Sequence, residues 1–403
     1  MLDRRCDVLV VGAGPAGAEL ARSLAQAGVD VVLIDRLADL SQAAFSSAAM
    51  PLASLDRFGL PAEIIATRWN GWQLFGPQQA RRQWLAEQPL GAVLDFAKLR
   101  LWLVQQVDAW GGRILLGWQA LGCQQQVDHV LTQLRGPSGQ IATVTSRWVV
   151  DATGERRALL GEPAQAAIRG RDGLVSGLGV EWLLETSAEQ AEAWSSRLSF
   201  FIGSTWVEQG YGWIFPMADH RLKLGVCRLV DPRRRQLPLQ RELAHLIEFT
   251  GLGKATVLDR HGGRIRSTVG RQEAHQRGRL LGLGDAVSTA NLLGGEGIRH
   301  ALTSARVLAP LLLETLADPT NADRLLAAYP QQLRQALGRR WSLSGRLARR
   351  TWLGLTDQVA DQRLDRLLTG LQAKRAEDLS ALFFDYRFER YGLKALAYGL
   401  GWR

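Results

Sequence analysis

Residues 8–17 read Val-Leu-Val-Val-Gly-Ala-Gly-Pro-Ala-Gly, and a helix-forming run from Ala18 to Ala27 follows at once. A second apolar run, Val31 to Ile34, ends at Asp35, eighteen residues beyond Gly17. A strand, a glycine turn, a helix, a strand and an acid in that order make a dinucleotide-binding fingerprint. Each part has a physical role. Gly12 permits the sharp turn, Gly14 lets the backbone approach a pyrophosphate, and Gly17 lets helix and strand pack closely, with Ala16 small beside it. The helix N-terminus presents partial positive charge to phosphates. Asp35 accepts hydrogen bonds from a ribose, with Arg36 next to it. The stretch therefore predicts an α/β fold holding a dinucleotide.

Composition bounds the rest. A chain of 403 residues, 46% hydrophobic and 22% charged, is a globular protein of two or three domains. Its three cysteines, Cys6, Cys123 and Cys227, lie far apart with no C-x-x-C spacing. They imply neither a disulfide framework nor a metal site. The sequence enters the nucleotide strand almost at once, which leaves no room for a cleavable leader, so a cytoplasmic location is expected. The apolar stretch Val307–Leu313 is interrupted by Pro310 and is too short to cross a bilayer.

The formal charge of +10 is uneven. Residues 331–403 carry fourteen Lys and Arg against seven Asp and Glu, and residues 331–356 hold six arginines and no acid. Trp341 and Trp352 interleave with those arginines. That pattern suits peripheral contact with an anionic membrane, on its cytoplasmic face, and equally suits a solvated basic surface. No nucleic-acid module is visible, so no nucleic-acid partner is expected. Nothing fixes the oligomeric state.

Apolar positions at three- and four-residue steps predict a helix over 95–110, ended by Gly111-Gly112. Strands are predicted at 113–117, 130–134 and 141–150, with Gly136-Pro-Ser-Gly139 as a hairpin turn. Val149-Val-Asp-Ala-Thr-Gly154 reads as a strand end and a tight turn. Residues 160–275 alternate in short segments, which predicts an antiparallel sheet with helices near 189–196 and 239–249. The nucleotide domain resumes at Gly278, and a helix follows from about Glu296 to Leu316. The fold class is therefore α/β, a Rossmann-type cofactor domain (1–159 and 276–330) with an inserted antiparallel-sheet substrate domain (160–275). A basic helical C-terminal region spans 331–403.

Three separated signatures then align: the glycine turn with Asp35, Asp151-Ala-Thr-Gly154, and Gly284-Asp285-Ala286 followed by Asn291-Leu-Leu-Gly294-Gly295-Glu-Gly297-Ile298. Together they resemble the FAD-binding domain of the flavoprotein hydroxylase and reductase superfamily. The resemblance implies that Asp285 meets the ribityl chain and pyrophosphate, and that Gly294, Gly295 and Gly297 let the backbone approach the flavin ring. A helix N-terminus there would stabilise negative charge on reduced flavin. Arg100, with Lys98 as the alternative, occupies a region where relatives place an FAD-contacting arginine. Gly210-Tyr211-Gly-Trp213-Ile-Phe215-Pro216 and the Gly-Glu-Gly-Ile turn at 295–298 resemble the geranylgeranyl reductase family. That resemblance implies that Tyr211, Trp213 and Phe215 line an apolar substrate pocket facing the flavin. The family's Pro-Cys-Gly-Gly loop is replaced here by Phe45-Ser-Ser-Ala-Ala-Met-Pro51.

The expected cofactor is FAD, with NAD(P)H or ferredoxin as electron donor, since no separate nicotinamide-binding unit is visible. The expected substrate is an apolar small molecule or lipid. Tyr211 and His300 are the candidate proton donors for catalysis. Three readings stay open: reduction of carbon–carbon double bonds in an isoprenoid, an FAD monooxygenase or carotenoid cyclase-like activity, and a non-catalytic membrane-surface flavoprotein.

Overall fold

The computed structural model describes residues 5–42, 46–162, 173–268 and 273–391. Phe45 and the tail beyond 391 lie outside the described residues. The first strand, Arg5–Val11, lies between Val31–Asp35 and Ile141–Asp151, parallel to both. Arg113–Leu116 extends the sheet on one side and Leu280–Gly282 on the other, again in parallel. Parallel central strands are buried on both faces, which is why they read as unbroken apolar runs rather than alternating ones. Val8 and Val10 pack under helices Pro15–Gln26, Phe96–Ala109 and Ile298–Ala317, while Leu9 and Val11 pack with Val144 and Leu134 on the opposite face. Full burial of each such side chain stabilises by about 1.5–3 kcal/mol.

The strand Ile141–Asp151 serves two partners. Its first half carries the antiparallel hairpin strand Val130–Arg135, and its last three residues pair with Leu280–Gly282. The chain thus brings Asp151 beside Val11 and lets Leu283 N–H donate to Asp151 O.

A second sheet has seven strands in the order 256–267, 175–185, 221–229, 210–216, 197–202, 71–75, 81–85. It is antiparallel except where Arg197–Ile202 runs parallel to Gly71–Phe75. The segment 160–275, where an antiparallel sheet was expected, supplies five of these strands. The sheet also takes a hairpin, Gly71–Phe75 with Arg81–Leu85, from inside the segment given above to the cofactor domain. That hairpin escapes a sequence reading for a physical reason. Gly71–Phe75 is buried throughout, so it does not alternate, and one inward residue of Arg81–Leu85 is Arg82. The charge is tolerated because Arg82 donates to Asp365 Oδ1 at 2.8 Å.

Helix Leu239–Phe249 covers one face of this sheet through Leu239, Leu243 and Leu246. The other face is closed by helices Gln358–Leu371 and Ala376–Phe383. Trp72 donates to Ser380 Oγ at 3.0 Å and Trp84 to Leu371 O at 3.2 Å. The helical C-terminal region is therefore a lid built onto the second sheet. Trp341 and Trp352 face inward and are buried, so neither tryptophan is available as an interfacial anchor. Among the described residues no helix is long and apolar enough to cross a membrane.

Candidate functional site

The three sequence signatures meet at the C-terminal ends of the parallel strands, where open α/β sheets bind ligands. Gly12 has φ +107°, and a Cβ there would come within 2.5 Å of Ala152 O. A Cβ at Gly17 would overlap Gly12 O and press on Ala152. Gly284, at φ +62°, would bring a Cβ within 2.7 Å of the Ala16 side chain. Small residues are thus required wherever the first signature touches the second and the third. Asp151 holds the second together. Its carboxylate accepts from Thr153, Leu159 and Leu160 N–H and from the Thr153 hydroxyl. Gly154, at φ +70°, opens the following turn. Arg157, unremarked in the sequence, donates to Gly161 O and Ala286 O and so ties the second signature to the third.

The residues fit a bound FAD. Nothing lies within 4 Å of a Cβ built on Gly14, so the turn presents an open cradle. Helix Pro15–Gln26 has no side-chain cap and no acid in its first turn, which leaves its N–H groups to a pyrophosphate. Asp35 accepts from Ala13 N–H at 2.8 Å and Leu37 N–H at 2.9 Å, so both carboxylate oxygens are aimed by backbone. Arg36 beside it is exposed. Arg100 is buried, with Nε unpartnered, close enough to Asp35 and Asp39 to feel both charges. Burial lowers its pKa and the two carboxylates oppose the shift. A buried guanidinium with an unmet donor is costly without a ligand. Lys98 is exposed and serves the helix cap through its N–H to Asp95.

Asp285 faces the same cleft. It accepts from the Thr289 hydroxyl at 2.9 Å, and its carboxylate stands within 4 Å of a Cβ placed on Gly297. Burial raises its pKa, against the hydrogen bond from Thr289. Gly297 caps helix Ile298–Ala317, which has no side-chain cap and no acid in its first turn. Gly294 is open, and Gly295, at φ +63°, has the Tyr211 hydroxyl as its nearest neighbour, 3.8 Å from a built Cβ.

A cavity of about 590 Å³ begins at Pro15, Asp285 and the 294–298 turn and continues between the second sheet and the C-terminal helices. Tyr211, Trp213 and Phe215 line it, as does Ile298. Burial pushes the Tyr211 hydroxyl well above the usual phenol range, so it stays protonated. Beside it the Cys227 thiol is pushed up to about 12, chiefly by burial. Trp352 and Leu368, from the C-terminal helices, complete the wall.

His300 is buried on the helix that starts at the 294–298 turn, but it is not on the cavity wall. Its Nε2 lies 2.8 Å from the Tyr386 hydroxyl, which itself donates to Glu296 at 2.7 Å. Glu296 also binds Arg299 through Nε at 2.6 Å. Arg299 and His300 overcome the effect of burial and hold the Glu296 carboxyl far below the usual range. The group fastens the C-terminal segment to the flavin-side helix.

Two polar features of the cavity were missed in the sequence. Glu181 lies on its wall, accepting from Trp213 Nε1–H at 2.8 Å and facing His261 Nε2 at 3.1 Å. Lys223 is buried beside the cavity and donates to Ser46 O at 2.6 Å, fixing the loop that replaces the Pro-Cys-Gly-Gly segment. Burial lowers its pKa, while Glu181 and Asp95 oppose the shift. Only the strand alternation, with Glu181 at the inward phase of Val175–Glu185, could have signalled the first.

The family model described as FAD binding domain matches residues 5–340. A menaquinone reductase of Mycobacterium tuberculosis is 29% identical over 366 residues, covering 86% of this chain and 84% of the relative. A digeranylgeranylglycerophospholipid reductase of Haloferax volcanii is 26% identical, covering 93% of this chain and 91% of the relative. A crystal structure of a geranylgeranyl bacteriochlorophyll reductase-like protein from Thermoplasma acidophilum superposes with a TM-score of 0.81 at 21% identity. That superposition spans 98% of this chain and 96% of the other.

Proposed function

The chain belongs to the FAD binding domain family, and on that premise we propose that it reduces carbon–carbon double bonds of an isoprenoid or similarly apolar lipid. One observation carries this reading. The cavity runs unbroken from the FAD turn into a chamber walled by aromatic and leucine side chains. A reductase of an apolar chain needs such a chamber, because the hydrophobic effect itself then holds the substrate against the cofactor. The similarity to a menaquinone reductase and to a digeranylgeranylglycerophospholipid reductase supports it.

When bound and reduced, FAD supplies a hydride. The chain does the rest. Gly12, Gly14 and Gly17 with the helix N-terminus hold the pyrophosphate, while Asp35 and Arg100 take the ribose end. Gly154 lies at the turn beneath, and Gly284 and Asp285 flank the ribityl chain. Gly294, Gly295, Gly297 and Ile298 place backbone N–H groups and a helix N-terminus where negative charge develops. Tyr211, Trp213 and Phe215 orient the substrate chain, and the C-terminal helices exclude water. In this reading residues 1–159 and 276–330 bind the cofactor, 160–275 with the 71–85 hairpin wall the substrate, and 331–403 closes the chamber. NAD(P)H or ferredoxin supplies electrons from outside. The exposed arginines Arg334, Arg339, Arg346 and Arg350 hold the protein at an anionic, cytoplasmic membrane face, where such a substrate resides.

The test is anaerobic incubation of the FAD-loaded, dithionite-reduced protein with menaquinone or with digeranylgeranylglycerophospholipid in detergent. The expected product is heavier by two hydrogens for each double bond reduced, located in the isoprenoid chain by fragmentation in mass spectrometry after air reoxidation of any quinol. A product that gains an oxygen atom, formed only when air is admitted, establishes a monooxygenase instead.

A further inference from the structure

The second sheet carries a row of side chains that runs from its solvent edge to the cavity. His261 on the edge strand Thr256–Ser267 pairs across with Glu181, Glu181 with Gly225, and Gly225 with Trp213. All share one face of the sheet, since neighbours in register point the same way. Gly225 has no side chain, and the Trp213 indole lies across it, where a Cβ would collide with the ring. The indole therefore reaches Glu181 from two strands away and donates Nε1–H to one carboxylate oxygen at 2.8 Å. His261 Nε2 faces the other oxygen at 3.1 Å. On its outer side His261 Nδ1 meets Asp259 at 3.0 Å. Exposure grows along the row: side chains of Glu181, His261 and Asp259 are 5%, 13% and 52% exposed.

A buried carboxylate on a cavity wall costs stability, a cost that Trp213 and His261 offset only in part. We propose that Asp259, His261 and Glu181 form a proton relay that carries a solvent proton to the substrate carbon, with Glu181 as the general acid in the cavity. This rests on the reductase reading above. The balance is as follows. The carbon–carbon π bond breaks, and one carbon takes the hydride supplied by reduced FAD. The other carbon takes a proton through Glu181, whose carboxylate receives it from the His261 imidazolium as it is passed on. His261 then recovers a proton from water at the sheet edge. One hydride, which carries both electrons, is consumed from reduced flavin, and one proton from solvent.

The surroundings suit the role. Burial alone would make His261 harder to protonate, but the Glu181 and Asp259 carboxylates outweigh it and its pKa is raised. The other ionisable groups facing Glu181 are Lys223, whose charge it feels, and Cys227 and Tyr211 on the next cavity-facing row, both held protonated by burial. Arg264 of the edge strand also borders the cavity. Tyr211 holds its proton too tightly to donate it readily, whereas Glu181 is reloaded by a neighbour that exchanges with water.

Glu181→Gln preserves shape and can still accept from Trp213 Nε1–H, but its amide cannot take up the His261 proton. With the reduced holoenzyme and digeranylgeranylglycerophospholipid or menaquinone, it should lower kcat about 100-fold at unchanged KM, the scale of general acid catalysis. Glu181→Asp should recover part of the loss, and the fall in wild-type kcat at alkaline pH should vanish in His261→Asn, a variant at the exposed edge. A second readout needs no turnover. In the full chain without FAD, the imidazole NMR signal that disappears in His261→Asn should titrate above the ordinary histidine value and move down in Glu181→Gln. An unchanged kcat, or an unmoved titration, in Glu181→Gln overturns the relay and leaves the reductase reading intact. A wild-type protein that reduces neither lipid overturns that reading, and the relay with it.

Discussion

Three glycines of the first turn should behave differently when each becomes alanine. Gly14 has φ −75° and ψ 179°, a conformation open to any residue, and its Cβ would meet nothing within 4 Å. Gly14→Ala should gain about 0.4–1 kcal/mol from a stiffer unfolded chain. It should lose a similar amount as a poorer N-cap, about 0.5–1 kcal/mol, so the FAD-free protein should be about as stable as wild type. Its effect falls on the ligand, because the new methyl stands where the pyrophosphate must approach. A tenfold weaker FAD complex corresponds to about 1.4 kcal/mol, and steric exclusion of a phosphate should cost at least that. Gly17→Ala is the opposite case. Its Cβ would overlap Gly12 O, a backbone atom that cannot step aside, so the FAD-free fold should lose about 1–3 kcal/mol as helix and strand separate. Gly12→Ala adds a left-handed φ to a 2.5 Å approach on Ala152 O and should be at least as damaging. Urea unfolding of the FAD-free proteins gives the stability arm, and quenching of FAD fluorescence gives the affinity arm. At 100 times Kd, FAD should add about 2.7 kcal/mol to wild-type stability, an increment that shrinks in Gly14→Ala. If Gly14→Ala bound FAD like wild type but unfolded as easily as Gly17→Ala, the assignment of roles in the turn would be refuted.

Gly225→Ala should push the Trp213 indole off Glu181 and destabilise by about 1–3 kcal/mol, read by thermal unfolding; unchanged stability would mean the indole has room to move. Removing Arg299 should leave Glu296 buried without its main cation and cost about 3–5 kcal/mol, with protease cleavage first in the C-terminal segment if that contact fastens the lid. The Glu296 pKa is depressed in the folded state, so its contribution is complete above the unfolded glutamate value of about 4.3 and declines as pH falls below it. Acid unfolding of Arg299→Ala should therefore lack part of the wild-type loss below that pH, and identical slopes would contradict the assignment. The Cys227 thiol, pushed up to about 12, should resist thiol reagents at pH 8 although it borders the cavity; rapid labelling, located by mass spectrometry, would show an environment unlike this one.

The cofactor half of the site was legible because its demands act on the backbone. A turn at Gly12 or a close approach at Gly17 and Gly284 excludes side chains outright, and such exclusions leave a pattern in sequence. The substrate half was only partly legible. Tyr211, Trp213 and Phe215 stood out, but the opposing wall comes from the 364–384 region, held to the sheet across some three hundred residues by contacts such as Trp72 to Ser380. No local periodicity records such a pairing. Arg82 pointed inward and hid its strand, because its partner Asp365 lies on a helix far along the chain. The arginines interleaved with Trp341 and Trp352 suited an anionic membrane and a solvated basic surface equally, yet both indoles turn inward, and Trp352 donates to Leu292 O at 3.1 Å. Composition reports which residues are close in sequence, and packing decides which way they face.

The central claim is that one flavin and one apolar lipid share a continuous cavity so that reducing equivalents pass directly between them. Anaerobic stopped-flow mixing of the fully reduced holoenzyme with digeranylgeranylglycerophospholipid or menaquinone, followed at the oxidised-flavin absorbance band, tests it most directly. Return of the oxidised band without oxygen, in proportion to double bonds lost from the lipid, is the predicted result. A flavin that stays reduced with both lipids until air is admitted would contradict the account.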